Sequence, residues 1–188
     1  MSYLVYYDEN GEISGTVSGP ADFIQEAIEA YEGLTVLSDF KPELSHWVKD
    51  GVIVSRGDRP SPAYEFNYQT EEWQHHLAEG RAIRWQAIKD ARDNEEFGTF
   101  EWNEHIFQCD EVSQRRIQGA VQLAAIDSSM TLDWTLADDT VETFTAADYV
   151  AIGQALANHV SQCHERGRIL RQQINAATTE EELEAIVW

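Results

Sequence analysis

The residues whose types and spacing could do chemistry are His159, Cys163 and His164. On a helix, positions four apart share a face, so His159 and Cys163 can contact one ion as an imidazole–thiolate pair. His164 points about 100° away from Cys163 and fits less well. A structural zinc needs further ligands, and the other histidines are scattered. The plainer reading is a histidine packed at a helix interface with Cys163 in the core, and no metal is expected. His75 and His76 are adjacent in a stretch read as helical, so they face different directions and do not form an acid–base pair. Asp8-Glu9 and Asp138-Asp139 are paired acids of the kind that bind cations, but both fall in turns, where carboxylates usually accept from local backbone N–H groups. Ser113 and Ser128-Ser129 have no nucleophile elbow around them. There is no phosphate loop, no GxGxxG and no HExxH. Arg56-Gly57-Asp58 spells Arg-Gly-Asp, which three residues of an ordinary loop explain. No catalytic residue, cofactor or enzymatic activity is expected.

Six tryptophans carry more information: Trp47, Trp73, Trp85, Trp102, Trp134 and Trp188. Most are expected to pack between elements. Trp102 and Trp134 lie in strands of hairpins, where alternation turns one face inward. Trp188 is enclosed only if the last helix docks. An aromatic at the edge of an acidic surface is a natural interface anchor, so Trp102, Trp134 and Trp188 are the candidate partner-binding residues.

The elements that must position these side chains follow from punctuation and period. Residues 3–7 and 12–17 flank Asn10-Gly11, a hairpin signal, because Gly accepts positive φ without strain. A helix is expected over 22–32, capped by Asp22 with Gln25 as reciprocal partner and ended by Gly33. Residues 34–37 form a short apolar run. Residues 44–48 and 52–55 flank Asp50-Gly51, a second hairpin. Residues 56–62, with two prolines and a glycine, read as a loop or linker, and 63–68 as extended.

Thr70 is expected to open a long helix to about residue 94, with Trp73, Leu77 and Ile88 on one stripe. A third hairpin pairs 97–102 with 105–108 around Asn103-Glu104. Asp110 caps a helix over 111–126 with Val112, Ile117, Ala120, Leu123 and Ala124 inward. A fourth hairpin pairs 131–135 with 140–144. Thr145 caps the longest helix, to about residue 176. Its apolar positions are Tyr149, Ile152, Leu156, Val160, Cys163, Ile169 or Leu170, and Ile174, with Gly167 as a break point and Arg166, Arg168 and Arg171 favouring the helix dipole. Thr179 opens a last helix with Glu182 at the capping-box position and Leu183, Ile186 and Val187 on its apolar side. The fold class expected is α+β: a small β-hairpin-rich N-terminal module over residues 1–69, followed by a helix-rich module over 70–188 with two β-hairpins and a long helix.

The 188 residues include 34 acids and 13 bases, for a formal charge of −21. Residues 1–69 contribute 12 acids and 4 bases, so the acidity is spread along the chain and is not an appended tail. Such a field repels phosphates, which argues against nucleic acid as a partner and suits solubility or a basic partner. Two cysteines are too few for a disulfide framework and read as small buried hydrophobes of a reducing cytosol. The opening MSYLVYYDENGE lacks the pattern of a signal peptide. No stretch approaches the roughly 18 apolar residues of a membrane span.

Four stretches resemble a family of uncharacterised tailed-phage tail proteins, often encoded beside tail fibres and sometimes labelled tail-fibre assembly proteins. They are RAIRWQAIKDARDNEE (81–96), FEWNEHIFQCDEVSQRRIQGA (100–120), WTLADDTVETFTAADYVAIGQALANHV (134–160) and TTEEELEAIVW (178–188). The family's pattern corresponds here to Trp85, Ser113, Arg116, Ile117, Trp134, His159, Val160 and His164, in the same order over about residues 80–188. The N-terminal part is similar in style to the β-rich openings of tail-fibre accessory proteins. The resemblance implies a non-enzymatic protein of the virion tail whose partners are tail-fibre or baseplate proteins. An assembly chaperone in the cytoplasm of the infected host, absent from the virion, is the alternative, and a small metal-dependent enzyme or regulator ranks third. The length of the long helix also suits self-association as a homo-oligomer.

Overall fold

The computed structural model describes residues 2–188. The chain divides into two compact units, with the boundary between Gly80 and Arg81. Both are mixed, and the fold is α+β.

The first unit is built from β1 (Tyr3–Tyr7), β2 (Ile13–Ser18), α1 (Ala21–Ala30), β3 (Leu34–Ser38), β4 (His46–Lys49), β5 (Val52–Ser55), β6 (Tyr64–Asn67) and β7 (Glu72–His75). β1 is the centre of a three-stranded antiparallel sheet, order β2-β1-β3. Its Leu4 and Val5 are fully buried on opposite faces, so both sides of that strand are covered. The turn after β1 follows its chemistry: Asp8 Oδ1 accepts from the N–H groups of Asn10 and Glu12, and Gly11 takes φ 88°. A side chain at Gly11 would put its Cβ 1.9 Å from the Val48 carbonyl oxygen, because Val48 N–H donates to Gly11 O at 2.8 Å. Asp50 and Gly51, with φ 51° and 77°, close β4–β5 as a primed turn.

Two expectations for this unit fail at helix starts. α1 begins at Ala21 behind Pro20, with no side-chain cap. Asp22 lies inside the first turn, and Gln25 bonds Glu29 instead. Pro20 at the cap position has no side-chain acceptor to offer, and it has no N–H for a reciprocal Gln25 to meet. The helix also stops at Ala30, before Gly33. The second failure is larger. Residues 72–75 form β7, paired with β6 so that Trp73 opposes Phe66. Trp73 and Leu77 are four apart and mimic a helical stripe. The chain reverses at Glu71 (φ 60°) instead, and Trp73 is held by edge-on packing against Phe66, with ring centroids 5.3 Å apart. Tertiary packing thus overrides local period, and the boundary moves from near residue 70 to 80.

The second unit holds the body of α2 (Leu77–Glu96), then β8 (Thr99–Trp102), β9 (His105–Gln108), α3 (Glu111–Ile126), β10 (Thr131–Thr135), β11 (Val141–Thr145), α4 (Ala146–Ala176) and α5 (Glu180–Glu184). Its two hairpins are β8–β9 and β10–β11. Asp110 caps α3 by accepting from the N–H groups of Val112 and Ser113. Thr145 and Asp148 form a complete capping box on α4. Thr179 caps α5 through Glu182 N–H. The Glu182 carboxylate reaches back to Thr178 N–H, one residue before the expected reciprocal donor.

The core of this unit contains Phe100, Phe107, Ile117, Phe144, Tyr149 and Ile152, with Cys109 fully buried among them. α3 presents Ser113, Ile117, Ala120 and Ala124 inward. Val112 and Leu123, expected inside, are 44% and 41% exposed, because the seam facing α4 runs one position further along the helix. Ile169 is exposed and Leu170 buried, which settles that pair. Val160 is half-buried, and Val187 is exposed. α4 runs unbroken through Gly167 for 31 residues, roughly 46 Å.

The two glycines of α4 are there for different reasons. A Cβ at Gly153 would lie 2.6 Å from a Val121 methyl of α3, closer than real contacts permit. A Cβ at Gly167 would meet Arg92 and Trp188 at 3.6 and 4.0 Å, ordinary contact distances. Gly153→Ala is expected to lower stability by about 1–2 kcal/mol, the overpacking cost outweighing the gain in helix propensity. Gly167→Ala is expected to raise it by roughly 0.5–1 kcal/mol. Urea unfolding midpoints check both, and equal shifts of one sign would contradict the packing assignment.

Candidate functional site

An aromatic cluster joins the two hairpins of the second unit to α4. Phe144 on β11 lies 5.5 Å from Phe107, 5.4 Å from the His105 ring and 6.1 Å from Tyr149, centroid to centroid. Trp102 and Trp134 stand at the edges of this cluster and are half-buried. Trp102 meets Phe144 edge-on at 6.0 Å, and Trp134 tilts against Phe107 at 6.1 Å. Their strand positions, each turned partly toward the core, follow from alternation along β8 and β10.

Trp134 lines a cleft of about 420 Å³ with Gln108, Asp110, Ser113, Arg116 and Asp133. Its Nε1–H is buried without an acceptor among the described residues. Asp110 accepts from the Ser113 hydroxyl at 2.6 Å, and Asp133 from the Thr143 hydroxyl at 2.6 Å. Arg116, on the exposed side of α3, has no ion-pair partner among the described residues. The cleft therefore offers the Arg116 guanidinium beside carboxylates already committed locally, while the Trp134 N–H is shut off from solvent.

Trp188 lies elsewhere in the unit. Its Nε1 donates to Glu95 Oε2 at 2.5 Å, and the Arg166 guanidinium sits 4.6 Å from its ring centroid. Arg166 also lies 3.8 Å from the same carboxylate. The C-terminal segment is thereby clamped to the end of α2 and the side of α4, with Leu183 and Ile186 buried beneath. The three arginines of α4 serve side chains: Arg166 covers Trp188, Arg171 covers Trp85 at 4.8 Å, and Arg168 pairs with Glu165. None lies in the last turn, where they would complement the dipole.

The other chemistry-bearing residues go to structural uses. His159 Nε2 is 3.1 Å from the Glu95 carbonyl oxygen, and His164 Nε2 is 3.1 Å from a carboxylate oxygen of the buried Glu96. Cys163, between them, is buried. Among the described residues, no group of three or more His, Cys, Asp or Glu is arranged to hold a metal. Burial pushes the Cys109 thiol up to about 11 and raises that of Cys163, so both stay protonated near neutrality. His75 and His76 lie on and just after a strand. His75 packs edge-on to Tyr64, and His76 pairs with Glu65 at 3.0 Å. Asp8 and Asp138 bond the backbone of their own turns.

In the first unit, Arg56 of the Arg-Gly-Asp triplet is a clamp. Its guanidinium donates to Leu44 O at 2.7 and 3.1 Å and to the Tyr68 hydroxyl at 2.9 Å. It also lies 5.4 Å from the Trp73 ring, whose Nε1 donates back to Arg56 O at 2.9 Å. Arg56, Tyr68 and Trp73, together with Arg59 and Phe66, line a second cleft, of about 580 Å³. Sequence reading missed this role. A lone arginine before a glycine in a loop gives no sign of which carbonyls lie across it.

Two predictions follow from these contacts. Trp188→Ala is expected to lower stability by roughly 1–2 kcal/mol through loss of the indole hydrogen bond and the cation–π contact. An unchanged urea midpoint would leave Trp188 free to serve a partner. Hydrogen bonds from Ser113, Ser129, Thr140 and Thr145 hold Asp110, Asp127, Asp138 and Asp148 below the usual carboxylate range, and Thr178 does the same for Glu182. A folded-state value below the unfolded one contributes stability that is full above the unfolded value and lost as pH falls. The midpoint is expected to drop between about pH 5 and pH 3, and less so in Asp110→Asn. A midpoint that rises there would mean that relief of the net negative charge outweighs the caps.

Among the described residues, no helix is long and apolar enough to cross a membrane. No curated protein and no solved structure matches the chain. Residues 79–187 match the family model described as a domain of unknown function, DUF4376, and that span coincides closely with the second compact unit. The match covers more than half of the sequence, and the chain belongs to the DUF4376 family.

Proposed function

We propose that this protein is a tail component of a tailed bacteriophage, associated with the tail fibre or baseplate, that acts by binding other proteins and catalyses no reaction. The observation carrying this reading is the ordered resemblance of residues 81–96, 100–120, 134–160 and 178–188 to tail proteins encoded beside fibres. All four stretches lie in the single unit bounded at Arg81. The use of side chains there supports it. Carboxylates cap helices and turns, histidines bridge α2 to α4, and the thiols are buried. Half-buried Trp102 and Trp134, the latter lining a cleft shared with the exposed Arg116, suit an interface with another protein. A net charge of −21 favours basic protein surfaces over phosphate backbones.

A second reading, a tail-fibre assembly chaperone, is favoured by the labels borne by some of the proteins resembled. Mass spectrometry of purified particles separates the two. A tail component is present at a fixed stoichiometric level. A chaperone is missing from particles and co-purifies with a fibre protein from infected cells. Absence from both would sink the phage reading altogether.

A further inference from the structure

α3 carries two seams, and only one is used. Ser113, Ile117, Ala120 and Ala124 face α4 and are buried. Val112, Arg116, Gly119, Leu123 and Ile126 recur at intervals of four, three, four and three, the spacing of a helix–helix seam. All five are exposed, Ile126 to 85%. Gly119 has nothing within 4 Å of where its Cβ would stand, so the helix has an open notch at mid-length. Glycine costs about 1 kcal/mol relative to alanine at such a position, and no neighbour in the chain explains it, in contrast to Gly153 under Val121.

The charge pattern singles out the same face. From Val112 to Ile126 there is no acid, although the chain has 34 in 188 residues. Two copies of a strongly acidic chain repel each other least on such a surface. The seam is also self-complementary. When two α3 helices pack antiparallel with Gly119 of one against Leu123 of the other, the second Gly119 receives the second Leu123. Arg116 then comes level with Ile126 and beside Asp127 at the helix C-cap. Among the described residues Arg116 has no ion-pair partner, and Asp127 accepts through Oδ1, from Ser129. Each contact occurs twice, as a two-fold interface requires.

We propose that α3 is a homodimerisation helix, pairing with α3 of a second copy through Val112, Arg116, Gly119, Leu123 and Ile126. The inference does not depend on the phage reading. Sedimentation equilibrium of the full chain over a concentration series tests it, with a dimer expected for the wild type. Ile126→Glu removes an apolar contact twice per dimer and is expected to raise the dissociation constant about tenfold or more. Its exposure leaves the core undisturbed. Leu123→Glu is expected to do the same, with circular dichroism unchanged, whereas Val187→Glu, on another exposed segment, is expected to leave the dimer intact. A wild type that stays monomeric overturns the proposal. So does a dimer that neither α3 variant weakens, which would place self-association on another face.

Discussion

The close approach of α3 to α4 at Gly153 is the constraint on which the second unit depends. A Val121 methyl occupies the space that a side chain at residue 153 would need. That contact sets the separation of the two helices, and the separation sets how deep Ile117, Ala120 and Ala124 sit against Tyr149, Ile152 and Leu156. The hairpins then complete the core. β11 runs directly into the capping box of α4, so the start of the long helix and the position of Phe144 are decided together. Phe144 in turn seats Trp102 and Phe107 from the neighbouring hairpin.

What could be read in the sequence was local chemistry. Asn10-Gly11 and Asp50-Gly51 marked turns because few residues accept positive φ, and Asn103-Glu104 was placed by the strands on either side of it. Asp110, Thr145 and Thr179 marked helix starts because orphan N–H groups need an acceptor. What could not be read was decided across the chain. Residues 70–76 carry helical spacing, yet Phe66 and Arg56 make Trp73 part of a hairpin. Val112 and Leu123 are as apolar as the residues beside them, and only the position of α4 shows which seam of α3 it covers. Of the candidate partner residues, Trp102 and Trp134 are edge residues of one aromatic cluster. The role of Trp188 depended on Glu95, 93 positions earlier.

Charge is distributed unevenly over this architecture. The acids concentrate in turns, loops, strands and helices α1, α2 and α5, while α3 and α4 are nearly free of them and carry five arginines between them. The helical pair can therefore pack tightly without accumulating like charge, and the −21 resides mostly where water screens it.

The hairpins have a kinetic consequence. Among the described residues, five of the six strand pairings join neighbours in sequence, so each closes a short loop at small entropic cost. One contact that ties α2 to α4, from Glu95 to His159, spans 64 positions. In the second unit, pairing within β8–β9 and within β10–β11 therefore carries a small closure cost, and docking the end of α2 onto α4 carries the larger one.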